Sequence, residues 1–355
     1  MEDFIMKKSV YIILSALAVS LCCAGCGKQS SIGADENKEM ANQINSNASG
    51  ETDENNAGDK LKVIASFYPM YDFAKKIGGD KVEVINMVPA GTEPHDWEPA
   101  ATDIRELETA DVFVYNGAGM EHWVENILES LDNQKLTTVE ASKGLKLMEE
   151  THSHEGDGKT DAESETDDKG KINTEGETEE YSGCDPHVWL DPMNAKSEME
   201  NIKNAFVATD PENKDYYEKN YETYAAEFIK LDQEYREGIA KTASKDLIAA
   251  HEAFGYLCKA YGLNQIGIEG LLPDSEPDPA RMNEIIQFAR ENNVKTIFFE
   301  ELVSPKVAKT IASEIGAKTE VLNPLEGLSD EELSAGADYF SVMRDNLKTL
   351  EEALK

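Results

Sequence analysis

Six histidines occur in the 355 residues, and three stand in phrases that hold an imidazole in place. His95 lies in Gly-Thr-Glu-Pro-His-Asp-Trp-Glu-Pro, His187 in Asp-Pro-His-Val-Trp-Leu-Asp-Pro, and His251 opens His-Glu-Ala-Phe-Gly-Tyr. Glu326, in Asn-Pro-Leu-Glu-Gly-Leu, adds a carboxylate. Three neutral imidazoles and one carboxylate are the borderline donor set that zinc accepts in tetrahedral geometry. A lone histidine is more often structural than ligating. These four positions, however, each follow an apolar run that reads as a strand, and in open α/β sheets ligands gather beyond the carboxyl ends of strands. A closed metal site at the mouth of one cleft is therefore expected. Glu93, Asp96, Glu98, Asp185 and Asp191 are near enough in sequence to accept the second imidazole N–H and fix its tautomer, or to be no more than solvated loop charge. Cys184, three residues before His187, is an alternative ligand, and His122 is read as a surface or cleft-wall residue.

The elements that must position these donors follow from periodicity. Short apolar strands are expected at 61–65, 82–88, 111–115 and 136–139, separated by helical spacing at 69–77, 103–109 and 121–131. The alternation returns with strands at 246–250, 265–268, 296–299 and 319–322 and helices at 254–261, 279–292 and 305–315. Such an order predicts an α/β fold of two lobes, each a mostly parallel sheet flanked by helices. Pro279 and Pro305 suit first-turn positions. Between the halves, Tyr217, Tyr221, Tyr224, Phe228, Leu231 and Tyr235 recur every three or four residues, which predicts one long linking helix over 211–243. At ~1.5 Å per residue it would reach roughly 45 Å, the alternative being two shorter helices with a kink. The N-terminal lobe is then 61–210 and the C-terminal lobe 244–355.

The rest of the chain reads as export and tethering. Lys7 and Lys8 precede the apolar run 10–21, a signal peptide over 1–25 to be removed at Cys26. Residues 26–60 are rich in Ser, Asn, Glu and Gly and bury too little to offset ordering entropy, so they read as a disordered tether. About 150–183 is an acidic insertion without apolar periodicity, read as disordered. A formal net charge of −36 argues against nucleic acid and against peripheral binding to anionic lipid. In the exported body only Cys184 and Cys258 could form a disulfide.

Ala24-Gly25-Cys26 resembles a bacterial lipobox, in which the cysteine is acylated, although Cys23 stands where leucine is usual. The phrases around His95, His187, His251 and Glu326, in that order, are similar to those of the metal-specific solute-binding lipoproteins of ABC importers (cluster A-I type), most nearly the zinc-uptake members. The likeness covers about 61–355. It implies an ion held between the two lobes by His95, His187, His251 and a carboxylate. Some relatives carry an aspartate at the place of Asn323 and others an acidic residue aligned with Glu326, with Glu300 and Glu301 as fallbacks here. Manganese members carry a carboxylate at the place of His251, so histidine there favours zinc. Zinc-uptake relatives often have a His-rich acidic loop at the insertion, where His152 and His154 are accessory capture residues.

The expected function is a monomeric binding protein, anchored by lipid on the outer face of the cell membrane, that captures zinc and passes it to an ABC importer permease. A stiff helix between the lobes predicts small movements on loading. A manganese binder of the same class and a surface adhesin are the alternatives. A zinc hydrolase is disfavoured, since the sequence has no His-Glu-x-x-His phrase, Gly-x-Ser-x-Gly elbow or phosphate loop.

Overall fold

The computed structural model describes residues 60–149, 183–273 and 277–355. The expected signal peptide, tether and nearly all of the insertion, with Cys26, His152 and His154, lie outside the described residues. Among the described residues no helix is long and apolar enough to cross a membrane.

The first half runs β1 (Leu61–Ala65), α1 (Tyr68–Gly78), β2 (Val82–Asn86), α2 (Ala101–Leu107), β3 (Val112–Tyr115), α3 (Val124–Ser130) and β4 (Thr137–Glu140), then a two-residue ribbon of β5 (Met148–Glu149) and β6 (Cys184–Asp185). Helices α4 (Pro192–Thr209) and α5 (Lys214–Ile239) lead into the second half. That half comprises β7 (Asp246–Ala249), α6 (Gly255–Tyr261), β8 (Asn264–Gly267), α7 (Pro279–Glu291), β9 (Thr296–Phe299), α8 (Lys306–Ile315), β10 (Lys318–Val321), α9 (Asp330–Ser334) and α10 (Tyr339–Ala353). The sheets have the orders β2-β1-β3-β4 and β10-β9-β7-β8, and every pair within them is parallel. Parallel pairing follows from the βα alternation, because each strand needs a crossover helix to return to the same edge. Two parallel sheets, each flanked by helices, are the expected architecture.

The differences from expectation have local causes. Strand β2 ends at Asn86 rather than 88, although Met87 and Val88 still donate backbone hydrogen bonds to Ala65 and Ser66. Helix α3 starts at Val124 rather than 121 because the Glu121 carboxylate is occupied by the backbone N–H groups of Asn116 and Gly117 and by the Ser66 hydroxyl. The linking helix opens as a tight turn at Pro211–Asn213 and becomes α-helical only from Lys214. At its other end the Thr242 hydroxyl takes the Ile239 carbonyl and stops it. It runs unbroken over 26 residues, about 39 Å at the α-helical rise. Sequence reading missed α4, whose N-terminus is capped by Asp191 with Pro192 in the first turn.

The largest apolar core draws on both halves: Val63, Phe73 and Val114 from the first, Leu247, Ala249 and Phe298 from the second, with Tyr217, Phe228, Leu231 and Tyr235 of α5 between them. Phe228 meets Phe73 of α1 at 5.8 Å and Phe340 of α10 at 4.7 Å between ring centroids, so one helix face is packed from both sides. Smaller cores lie on the outer side of each sheet, around Phe113 and Trp123 and around Ile248 and Ile311.

Candidate metal centre

The donors arrive from four separate connections. His95 stands on the Pro-rich stretch after β2, His187 two residues past β6, His251 two residues past β7 and Glu326 on the connection after β10. Long-range bonds fix these connections to one another. Gly91 donates its N–H to the Leu328 carbonyl, tying the His95 stretch to the Glu326 stretch. The Trp189 indole donates to the Pro324 carbonyl at 2.8 Å, and Tyr339 donates to the Trp189 carbonyl at 2.7 Å. Leu325 takes a left-handed backbone, φ 62°, which costs of order 1–3 kcal/mol for such a residue. It is held there by its N–H to Asn323 Oδ1, while Asn323 exchanges two bonds with the Asn346 side chain. The side chain that follows this turn, Glu326, joins the buried donor group.

His95, His187, His251 and Glu326 are all buried, and one ligand atom of each lies within 4.8 Å of the others. His95 Nε2 is 3.2 Å from His187 Nε2 and 3.3 Å from Glu326 Oε1. His187 Nε2 is 3.0 Å and His251 Nδ1 3.7 Å from that same oxygen. Zinc bonds of ~2.0–2.1 Å in a tetrahedron separate donors by roughly 3.3 Å, close to the separations of 3.0–3.7 Å around Glu326 Oε1 and His95, and any pair near the 4.8 Å limit of the group would draw together on an ion. The second Glu326 oxygen is buried with no hydrogen-bond partner among the described residues, an acceptor that a cation would satisfy.

The outer contacts sort the sequence expectations. Asp185 Oδ1 sits 2.8 Å from His187 Nδ1 and aims that ring. His251 Nε2 is 2.9 Å from the Leu271 carbonyl, a partner with no signal in the sequence because any residue supplies it. Glu93 accepts the backbone N–H of His95 at 3.0 Å rather than a ring N–H, Asp191 caps α4, Asp96 is exposed, and Glu98 lies 3.6 Å from the exposed His122. Glu300 is buried with Oε1 3.3 Å from His251 Nδ1, while Glu301 is exposed and accepts from Asn323. Cys184 is absent from the donor cluster. Cys184 and Cys258 are not bridged: Cys258 is packed in the shared core, where burial pushes its thiol pKa up, and Cys184 stands in the ribbon.

Electrostatically the cluster is an anion ringed by imidazoles. Burial opposes the Glu326 charge, yet His251 and His95 outweigh it and hold that carboxyl well below its usual range. His95 is lowered by burial. For His187 the Asp185 and Glu326 bonds overcome burial and raise it, and for His251 the Glu326 and Glu300 carboxylates overcome burial and raise it to about 10. Burial pushes Glu93 up to about 7.

A family model described as "Zinc-uptake complex component A periplasmic" (ZnuA) matches residues 63–353. The high-affinity zinc uptake system protein ZnuA of Bacillus subtilis (strain 168) is 46% identical over 310 residues, 87% of this chain and 92% of that protein. The zinc-binding lipoprotein AdcA of Streptococcus pneumoniae is 39% identical over 296 residues, 83% of this chain but 56% of AdcA. Among solved structures, the Zn(II)-bound ZnuA-like domain of S. pneumoniae AdcA is 37% identical with a TM-score of 0.67, covering 83% of this chain and 99% of that one. The laminin-binding protein Lmb of Streptococcus agalactiae, titled a bifunctional protein with adhesin and metal transporting activity, is 34% identical with a TM-score of 0.69, covering 83% and 100%. The family match spans nearly all of the two-sheet body, and the chain belongs to the ZnuA family of periplasmic zinc-uptake components.

Proposed function

We propose that the protein captures zinc outside the cytoplasmic membrane, ligated by His95, His187, His251 and Glu326, and delivers it to an ABC-type zinc importer. The observation that carries this reading is the buried group of three imidazoles and one carboxylate at tetrahedral spacing. The relatives are named for zinc uptake and zinc binding, and no bond is made or broken in the task. The family description as periplasmic supports an extracytoplasmic location, and the Ala24-Gly25-Cys26 phrase supports a lipid anchor at Cys26; the body is proposed to act as a monomer. Manganese is the less fitting cargo, because three nitrogens make a softer site than a carboxylate-rich one. Replacing His251 by Glu should shift competition from zinc toward manganese.

The decisive test is zinc affinity measured by chelator competition. Glu326→Ala should weaken binding by at least about a hundredfold, the loss of one charged ligand and the exposure of uncompensated donors. Glu301→Ala, whose side chain is exposed and faces Asn323, should bind as wild type. An unchanged Glu326→Ala affinity would remove Glu326 from the ligand set.

A second reading, adhesion, is favoured by the similarity to Lmb. Binding of the purified protein to immobilised laminin tests it, and no retention above an unrelated acidic protein would dismiss it.

A further inference from the structure

Behind the donor cluster, two hydrogen bonds cross from one half of the molecule to the other. Tyr256, in the first turn of α6, is 4% exposed and directs its hydroxyl at the β5–β6 ribbon of the first half. The hydroxyl donates to the Asp185 carbonyl at 2.9 Å and accepts the Met148 N–H at 2.9 Å. Asp185 in turn takes the His187 backbone N–H at 3.0 Å and stands 2.8 Å from its Nδ1. The neighbouring Gly255 is so close that a Cβ there would lie 2.6 Å from Asp185 Oδ2. The stretch 251–256 thus carries one proposed zinc donor, His251, and holds the backbone of Asp185, the residue whose carboxylate stands against another, His187, on the opposite half.

A ribbon of two residue pairs cannot hold its own shape in isolation, and an imidazole is aimed by the acceptor on its far nitrogen. The ribbon therefore depends on what is docked against it. We propose that Tyr256 is a positioning residue for metal retention: its hydroxyl ties the aim of His187 to the closure of the two halves. Drawing the halves apart withdraws Tyr256 from the Asp185 carbonyl and the Met148 N–H, the ribbon backbone relaxes and carries the Asp185 carboxylate with it, and His187 loosens its hold on the ion as His251 moves off with the second half. The inference rests on the four-donor zinc site proposed above.

The test uses Tyr256→Phe in the full chain, loaded with zinc and challenged with excess chelator in a stopped-flow instrument. Dissociation should be roughly three- to tenfold faster, the scale of one or two buried hydrogen bonds. The d–d bands of the cobalt(II)-loaded variant should shift, reporting altered His187 geometry. In an Asp185→Asn background the same substitution should add less than in wild type, because both act through one imidazole. Tyr261→Phe removes a hydroxyl from the same helix, one that donates to Asp232 at 3.2 Å, and should leave the rate unchanged. Gly255→Ala, which presses on Asp185 from the same side, should also speed release and serves should Tyr256→Phe fold poorly. A Tyr256→Phe protein that melts lower without zinc yet keeps the wild-type dissociation rate and cobalt spectrum overturns the proposal. Failure of the zinc site itself would show separately, as wild-type affinity in His187→Ala.

Discussion

On the proposed ligand set, a proton and the metal compete for His251 in the zinc-free protein. Glu326 and Glu300 raise this imidazole from its ordinary 6.5 to about 10, so the ring is charged at neutral pH and the ion must displace its proton. A folded pKa above the unfolded one means that this contribution to the zinc-free fold is complete below about 6.5 and fades as pH climbs through about 10. Zinc affinity should accordingly rise about tenfold per pH unit between pH 6.5 and 8.5, with at least one proton released per ion. Calorimetry in buffers of different ionisation enthalpy measures that number, and zero protons would contradict the assignment. The four candidate donors that cluster were legible because Pro and Gly punctuate their phrases, but the apolar run expected before His187 is absent: among the described residues only the two-residue β6, Cys184–Asp185, precedes it. The aiming partners were legible only in part: Asp185 could be named as one of five carboxylates, but the Leu271 carbonyl and the Tyr256 hydroxyl belong to contacts between connections distant in sequence, which no local pattern encodes.

At the scale of elements, α4 shows a conflict that the sequence concealed. Its inward face reads Ala195, Met199, Ile202 and Phe206, a helical spacing that, with the Asp191 cap, would have revealed the helix. Glu198 lies on that face, fully buried, with neither carboxylate oxygen hydrogen-bonded among the described residues. Burial, reinforced by the nearby Glu121, raises its pKa well above the ordinary value. A raised carboxyl costs stability as pH rises above 4.5, the opposite sign to a salt-bridged one. Glu198→Met, which fills similar volume without a polar group, should raise stability by about 1–3 kcal/mol, more at pH 8 than at pH 5. Thermal melts at the two pH values check it; a lower melting temperature would mean that the carboxyl satisfies something indispensable. The eight strands of the two sheets were readable because each has β-branched or apolar residues between helical stretches, even where, as in Lys318–Val321, most of the strand is polar. Helix ends were not, since Glu121 and Pro211 redirect the backbone through particular bonds and turns rather than through periodicity.

The whole molecule is braced by α5 and by a core that both sheets share. Interfaces between independently moving domains are comparatively polar, whereas the two halves here share one apolar core, so large hinge motion is not expected on loading. Small-angle scattering curves of zinc-free and zinc-loaded protein should superimpose, and a marked change in radius of gyration would refute the brace. The two-lobe plan was visible in the repeat of the βα alternation, and the connector in its aromatic stripe. The shared interior was not visible, because residues such as Val63 and Leu247 have no sequence signal that they will meet.

A body knit this way is a poor spring. On the proposed reading, filling the cleft winds up little elastic work that could later throw the cargo out, and the push falls to a partner that seizes both sheets and wrenches them against their common interior.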